Sequence, residues 1–552
     1  MQPEVCVQTL CEQVSSSRLM ADVEEIARYE RLSGSKEEMQ AFLYIERQLH
    51  QAGIATKMMQ HGAYVSLPVS CSLRVVSPVK TELVAITHSF GLSTEKPHTA
   101  ELVHITNFDK HQDLAGKFLL IDGIASPEKA VWATQKHAAG VVWACSDEEP
   151  HHMIISPVWG NPDDLTITNL PKIYAASVGR DARDTLLGLL NRSRVHISLE
   201  TEVHTEWTKI PLLVAEIPAA SADPRFLMLS GHVDSWYYGA MDNGSANATM
   251  LEVARLVSKH RDSLRRALRL CFWSGHSHAR YAGSCWYADN LRHEIEPDCV
   301  LHVNVDSTGA VGATDLCAAP VMAEAYELAS RAIFRVSGQR LKPTRMQRNG
   351  DQSFWGIGVP AMFVSLSTQP EHQDGPPLGV WWHTSQDLPD KIDPENLVRD
   401  TKIYLEVCWE VLTKRLLPLD YCRVMDEWRQ ELERMREHIA AYVDLQRVLY
   451  AIDSLKLMLH EMHESAESTS DERINECIMR LGRTLIPVNY TRYGSTCHDA
   501  AVAQPAFPLF GVKPCASEHE RHLYSTRMKR AENRVFAALC EAMCCVSRVL
   551  QE

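Results

Sequence analysis

No CxxC pair occurs among the 16 cysteines of this 552-residue chain, so a structural zinc ribbon or finger is not expected. Met1 to Ser17 has neither a basic opening nor a long apolar run, and so does not resemble a secretory signal. Without export, disulfides do not persist, and the cysteines are expected to be free thiols in a cytoplasmic protein. No stretch approaches the roughly 18 consecutive apolar residues of a membrane-spanning helix. The longest apolar pieces, such as Leu212–Ala220, are strand-sized and interrupted by Glu216 and Pro218. Positive charge is also short: 56 Lys+Arg against 70 Asp+Glu leaves −14, which argues against a nucleic-acid or anionic-membrane partner. Internal repeats and low-complexity tracts are missing as well.

What is present is ordinary globular composition, 45% hydrophobic and 23% charged, with 25 histidines. At about 150 residues per domain the length suits three or four domains. Helical spacing begins at Arg18 and resumes after Ser33-Gly-Ser35, where Ser35 and Glu38 suggest a capping box and Gly53 a stop. Residues 82–200 read as a small β-rich unit with a crossover helix at Pro127–Ala139. From 205 to 415, strands at 226–230, 267–273, 299–305 and 361–365 alternate with helices, which implies a mostly parallel α/β sheet. Residues 416–552 are helical text, with long candidates at 425–462 and 517–550.

Ligands of open α/β sheets collect beyond the carboxyl ends of the strands. Here those ends carry Gly231-His232-Val-Asp234, Gly239-Ala-Met-Asp242-Asn-Gly-Ser245, Ser274-Gly-His276-Ser277-His278 and Asn304-Val-Asp306. Later loops add Arg348-Asn349-Gly-Asp351 and Trp381-Trp382-His383-Thr-Ser-Gln-Asp387. A lone His or Asp at such a position is usually a cap or a surface group. Imidazole and carboxylate converging from four successive strand ends is instead metal-site chemistry. The HxD spacing suits Asp234 as the group that orients the His232 ring.

Taken in order, these motifs resemble those of the co-catalytic zinc exopeptidases, the family of bacterial aminopeptidases, glutamate carboxypeptidase and the transferrin receptor. The resemblance implies three parts: a discontinuous metallopeptidase-like domain at 1–81 and 201–415, a protease-associated insert at 82–200, and a helical dimerisation-like domain at 416–552. It also implies one zinc site from His232, Asp242 and Asp306, with Asp242 bridging to a second site that includes His383. One or two zinc ions, or another divalent transition metal, are expected.

At one loop the chain departs from the family. Where relatives carry a Glu-Glu pair, base then ligand, this chain reads Gly275-His-Ser-His-Ala-Arg-Tyr-Ala-Gly283 with no acid. One register puts His276 at the base and Ser277 at the ligand; the other puts Ser277 at the base and His278 at the ligand. The first is favoured, because an imidazole with a pKa of about 6.5 can take a proton from water. Serine is a poor zinc ligand and imidazole a good one. A Ser277 nucleophile lacks the elbow such residues sit on. Arg280 and Tyr281 are candidates for an anion clamp or oxyanion donor. Arg348 and Asn349, beside Asp351, are candidates for a substrate carboxylate, and Trp382 for a pocket wall. Glu371 or Asp374, beside His372, could supply the missing carboxylate, although loop acids usually serve solvation. His151-His152 reads as surface.

The expected function is metal-dependent hydrolysis of a small peptide or amide, with a histidine in place of the glutamate base. A non-catalytic binding or assembly protein on the same scaffold is one alternative. A single-metal acyl transferase or cyclase is another. A homodimer through 416–552 is expected from the resemblance and from the long amphipathic helices.

Overall fold

The computed structural model describes residues 6–108, 113–221, 223–370, 376–502, 507, 510–511 and 517–551. Twelve strands form one sheet: β1 (Ala55–Ser77), β2 (Thr81–Leu83), β3 (Ala85–Thr87), β4 (His98–Ile105), β5 (Phe118–Asp122), β6 (Gly140–Ala144), β7 (Tyr174–Val178), β8 (Val195–Ile217), β9 (Phe226–His232), β10 (Ala267–Trp273), β11 (Cys299–Asn304) and β12 (Ala361–Met362). Their order is β12-β11-β9-β10-β8-β4-β5-β6-β7-β3, with β1 paired along β8 and β2 on β1. Strands β9 to β12 are mutually parallel, as are β4 to β7. The sheet is thus the mostly parallel, helix-flanked α/β arrangement expected from the alternating pattern.

The joint between the two parallel halves was not legible in the sequence. β1 and β8 each run for 23 residues and pair antiparallel almost end to end. β10 pairs with one end of β8 and β4 with the other, so the two long strands carry one continuous sheet through both halves. Residues Leu119, Val141, Ala175 and Ile155 fill a core on one face of the β3–β7 half, and Leu120, Val142, Leu186 and Ile197 fill one on the other.

β9, β10 and β11 are fully or nearly fully buried, as strands covered on both faces must be. Helix Ala246–Ser258, with all but one residue buried, and helix Pro394–Thr413 pack against them. Ser35 caps helix Lys36–Gln51 by accepting from Glu38 N at 3.0 Å, while the Glu38 carboxylate reaches back to Gly34 N at 2.7 Å. The long helix expected at 425–462 is two helices, Tyr421–Ile439 and Gln446–Glu464. The chain folds back at 440–445 so that Trp428 and Leu432 share one core with Leu449 and Ile452, a burial that a single straight helix could not achieve. Helix Glu518–Leu550 starts at a capping box on Ser517 and Glu520. The 15 described cysteines are free, and no described helix is long and apolar enough to cross a membrane.

Candidate metal centre

Three adjacent parallel strands, in the order β11-β9-β10, deliver the central side chains at their carboxyl ends. His232 is the last residue of β9, His276 follows β10 by three residues and Asp306 follows β11 by two. Asp242 lies in the tight turn before helix Ala246–Ser258. That turn needs Gly239: its φ is +49°, and a Cβ there would sit 2.2 Å from the Asp242 carbonyl oxygen. Asp387 holds the turn from behind, accepting from Met241 N at 2.8 Å and Asp242 N at 3.0 Å.

The acceptors around each imidazole fix its tautomer. His232 Nδ1 donates to the Asp234 carbonyl at 2.8 Å, and His383 Nδ1 donates to the His152 carbonyl at 2.6 Å. His276 Nδ1 donates to Asp351 Oδ2 at 2.8 Å. In all three rings Nε2 is left for a ligand. His232 Nε2 lies 3.1 Å from Asp242 Oδ1 and 3.6 Å from Asp306 Oδ2, and His383 Nε2 lies 3.0 Å from Asp242 Oδ2. His232 Nε2 and Asp242 Oδ1 are buried, yet despite their proximity they are not aligned for a hydrogen bond with each other or any neighbour. His232, His276 and Asp306 each offer a donor atom within 4.8 Å of the others. Two buried donors without a hydrogen-bond partner, His232 Nε2 and Asp242 Oδ1, with Asp306 and His276 within reach of His232, fit a divalent transition metal.

The electrostatics agree. Burial disfavours a charge on His232, but Asp234, Asp242 and Asp306 outweigh it and hold its pKa well above the ordinary value. Burial likewise opposes ionisation of Asp242, but His232 and His383 pull its pKa well below the carboxylate range. The centre is built to stabilise positive charge.

The histidine loop divides its two imidazoles. The His276 ring stacks on His232 at 3.7 Å and 12°, with Asp351 behind it, itself held by Ser284 Oγ at 2.7 Å. His278 points elsewhere. Its Nδ1 accepts from Ser33 N at 3.3 Å, which places the ring proton on Nε2, and it packs on Trp236 at 4.2 Å. It lines a separate cavity of about 350 Å³ with His152, Trp236 and Tyr237, and burial lowers its pKa to about 4. The structure therefore brings His276, not His278, to the metal-type group. Ser277 is buried and donates its backbone N–H to Asp234 Oδ2 at 2.8 Å.

Other expectations shift. Asp234 orients His232 mainly through its backbone carbonyl; its carboxylate gathers Ser33 Oγ at 2.5 Å, Ser277 N and His276 N. Asp351 touches His276 rather than a substrate position. Arg280 is spent on the carbonyls of Ile154 and Ser156, and Arg348 on the Asp499 carbonyl, His498 and the Trp159 face, so neither forms an anion clamp here. Asn349 donates its backbone N–H to Gln352. Tyr281 is buried with its ring 4.8 Å from His276 and 4.3 Å from Trp159. Trp159 lines a cavity of about 960 Å³ with Leu165, Cys285 and His498. Trp382 stacks on His383 at 3.7 Å. Glu371, His372 and Asp374 lie outside the described residues.

His151 and His152 are not surface residues. His151 bridges Asp147 at 2.8 Å and the Trp382 carbonyl at 2.5 Å, and His152 holds His383 through both backbone groups. The doubled histidine was the available signal for this clamp. Arg31 had none: it is fully buried and donates to the carbonyls of Ile26, Val233, Tyr238 and Gly239, bracing the His232 and Asp242 loops together.

Residues 213–408, which contain every one of these central side chains, match the profile described as Peptidase family M28. That stretch, about a third of the chain, is similar to the M28 peptidases. A probable glutamate carboxypeptidase, VP8, of Zea mays is 34% identical over 85 residues, 15% of this chain and 12% of that protein. A glutamate carboxypeptidase 2 homolog of Caenorhabditis elegans is 23% identical over 166 residues, 29% of this chain and 20% of that one. The chain thus spans a fifth or less of these curated relatives. Among solved structures, the Peptidase M28 precursor from Shewanella amazonensis SB2B aligns with a TM-score of 0.61 at 20% identity, over 74% of this chain and 97% of its own. The zinc aminopeptidase BSAP of Bacillus subtilis aligns at 0.56 and 18%, over 73% and 96%. These structures show that the chain shares their fold over about three quarters of its length.

Proposed function

We propose that this protein hydrolyses a peptide or amide bond of a small substrate, with zinc held by His232, Asp242 and Asp306 and with His383 on the far side of Asp242. The metal, when bound, polarises the scissile carbonyl and makes water more acidic. The rest of the chemistry falls to the chain. His276 Nε2 accepts the proton of the attacking water and returns it to the departing amine. Asp351 keeps the ring's other proton on Nδ1 and steadies the imidazolium that forms. Trp382, stacked on His383, is the aromatic surface offered to the substrate beside the centre.

One observation carries this reading. In the loop that lacks the family's acids, an imidazole faces the metal-type donors and has a buried carboxylate 2.8 Å behind it. His-Asp here takes the place of Glu as proton acceptor. A second reading has support in the mutual reach of His232, His276 and Asp306, which would make His276 a metal ligand. His276→Ala separates them. As base, the variant keeps its metal and loses turnover; as ligand, it loses metal first. A wild-type protein that purifies without transition metal and shows no metal-stimulated hydrolysis across a peptide and amide panel would overturn the proposal in favour of a binding role. A product formed without water incorporation would turn it toward a transferase or cyclase.

The proposal extends to organisation and assembly: residues 82–200 as a protease-associated insert, and residues 416–552 as the surface of a cytoplasmic homodimer. Tyr450 and Leu457, seven residues apart on one helix, are each 65% exposed, an apolar pair that suits a partner subunit. Light scattering at micromolar concentration should give twice the chain mass of 62.2 kDa.

A further inference from the structure

Away from the metal centre, helices Asp471–Tyr490 and Glu518–Leu550 enclose a small pocket of about 190 Å³. Its wall holds two thiols, Cys477 and Cys545, with Sγ atoms 3.2 Å apart. Arg473, Arg480 and Arg548 surround them, against the single acid Glu476. Arg473 donates to the Arg548 carbonyl at 2.9 Å, which links the two helices at this point. Cys477 is buried, while Cys545 is partly exposed. Cys540 and Cys544, on the same helix as Cys545, do not line the pocket.

We propose that Cys545 and Cys477 form a thiol–disulfide exchange site for small, negatively charged disulfides. The guanidinium groups of the pocket select the anionic ligand, and Arg480 and Arg548 favour the Cys545 thiolate. The more accessible Cys545 is the attacking group and the buried Cys477 the resolving one. Cys545 Sγ, as thiolate, attacks one sulfur of the small disulfide; that S–S bond breaks and one small thiolate leaves. Cys477 then gives up its proton to that thiolate and attacks Cys545 Sγ, expelling the second small thiolate. Two protein thiols are oxidised, one small disulfide is reduced to two thiols, and a Cys477–Cys545 bond staples the two helices. The contact with the Cys477 thiol, then Arg480 and Arg548, lower the pKa of Cys545 against the opposing effect of burial.

The test uses the full-length protein with two probes of opposite charge, oxidised glutathione and cystamine, and reads peptide maps by mass spectrometry. Oxidised glutathione should produce the Cys477–Cys545 cross-link several-fold faster than cystamine. Arg480→Ala with Arg548→Ala should erase that preference. Cys477→Ser should stop at a glutathione adduct on Cys545, and Cys545→Ser should give neither adduct nor cross-link. Circular dichroism confirms that each variant is folded. Adducts on Cys540 or Cys544 without the cross-link, or cystamine reacting as fast as oxidised glutathione, would overturn the proposal.

Discussion

Asp351→Asn isolates the pairing of His276 with its buried carboxylate, on which the proposed proton transfer rests. In the wild type the two carboxylate oxygens accept from different donors, Oδ2 from His276 Nδ1 at 2.8 Å and Oδ1 from Ser284 Oγ at 2.7 Å, and the side chain is buried. An amide has the same shape but one acceptor. If its oxygen faces Ser284, its NH2 faces His276 Nδ1 and drives the imidazole proton onto Nε2, the atom that must accept. If it faces His276, the tautomer survives but the charge that steadies the imidazolium is gone. A hydrogen bond to a charged group is worth about 1.5–3 kcal/mol, and each 1.4 kcal/mol is about tenfold. The expected loss in kcat from the lost charged hydrogen bond is therefore at least about 10- to 100-fold. KM should change little, because Asp351 touches no open surface. The assay is kcat and KM on the best substrate of a peptide and amide panel, with metal content and thermal midpoint measured on the same preparations. Unchanged kcat at unchanged metal content would refute the assignment of His276 as proton acceptor.

Three further outcomes follow from other contacts. His278→Ala should leave bound metal at the wild-type level, since the ring faces the neighbouring cavity. Elemental analysis checks this, and the lost partner of Ser33 N should cost about 1–3 kcal/mol in denaturant unfolding. His302, buried with Ser230 as its partner, has its pKa pushed from 6.5 down to about 4 by burial. The unfolded chain takes up a proton that the folded state refuses, so the stability from the neutral ring is present above pH 6.5 and is lost as pH falls toward 4. The loss is of order 3 kcal/mol, and His302→Gln should flatten the acid side of the stability curve by part of that. Tyr450→Glu with Leu457→Glu should convert a dimer to a monomer by light scattering; a dimer that persists would move the interface elsewhere.

Two of the candidate donors could be placed from the sequence because each sits at or just beyond a buried strand end, where backbone pattern alone sets the position. His232 and Asp306 needed nothing more. Asp351 did not yield to the same logic, since its partner His276 is 75 residues earlier and only the fold brings them together. Arg280 and Arg348 misled for a related reason. Their charge suggests an anion, but the 154–156 segment and the 498–499 segment reach these positions with unsatisfied carbonyls, and a buried carbonyl must find a donor. The long strands β1 and β8 were hidden because their exposed stretches carry polar residues such as Ser70, Glu202 and Glu206, which read as loop. The fold-back at 440–445 has no glycine or proline to mark it; burial alone decides it.

Donor counting around Asp242 bears on how many ions the site holds. On the His232 side, Asp242 and Asp306 complete three donors, and His276 or water can supply a fourth. That meets the need of a catalytic zinc for about three protein ligands. On the other side, the described residues offer only Asp242 and His383, at 3.0 Å from each other. Two donors bind too weakly to retain zinc through purification, and the 275–283 loop holds no acid to add a third. One zinc per chain is therefore the expected content after dialysis, with Asp306→Asn reducing it far more than His383→Ala does. Two ions per chain at full occupancy would refute the count and would direct the search for a third donor to Glu371 and Asp374, tested by their alanine variants.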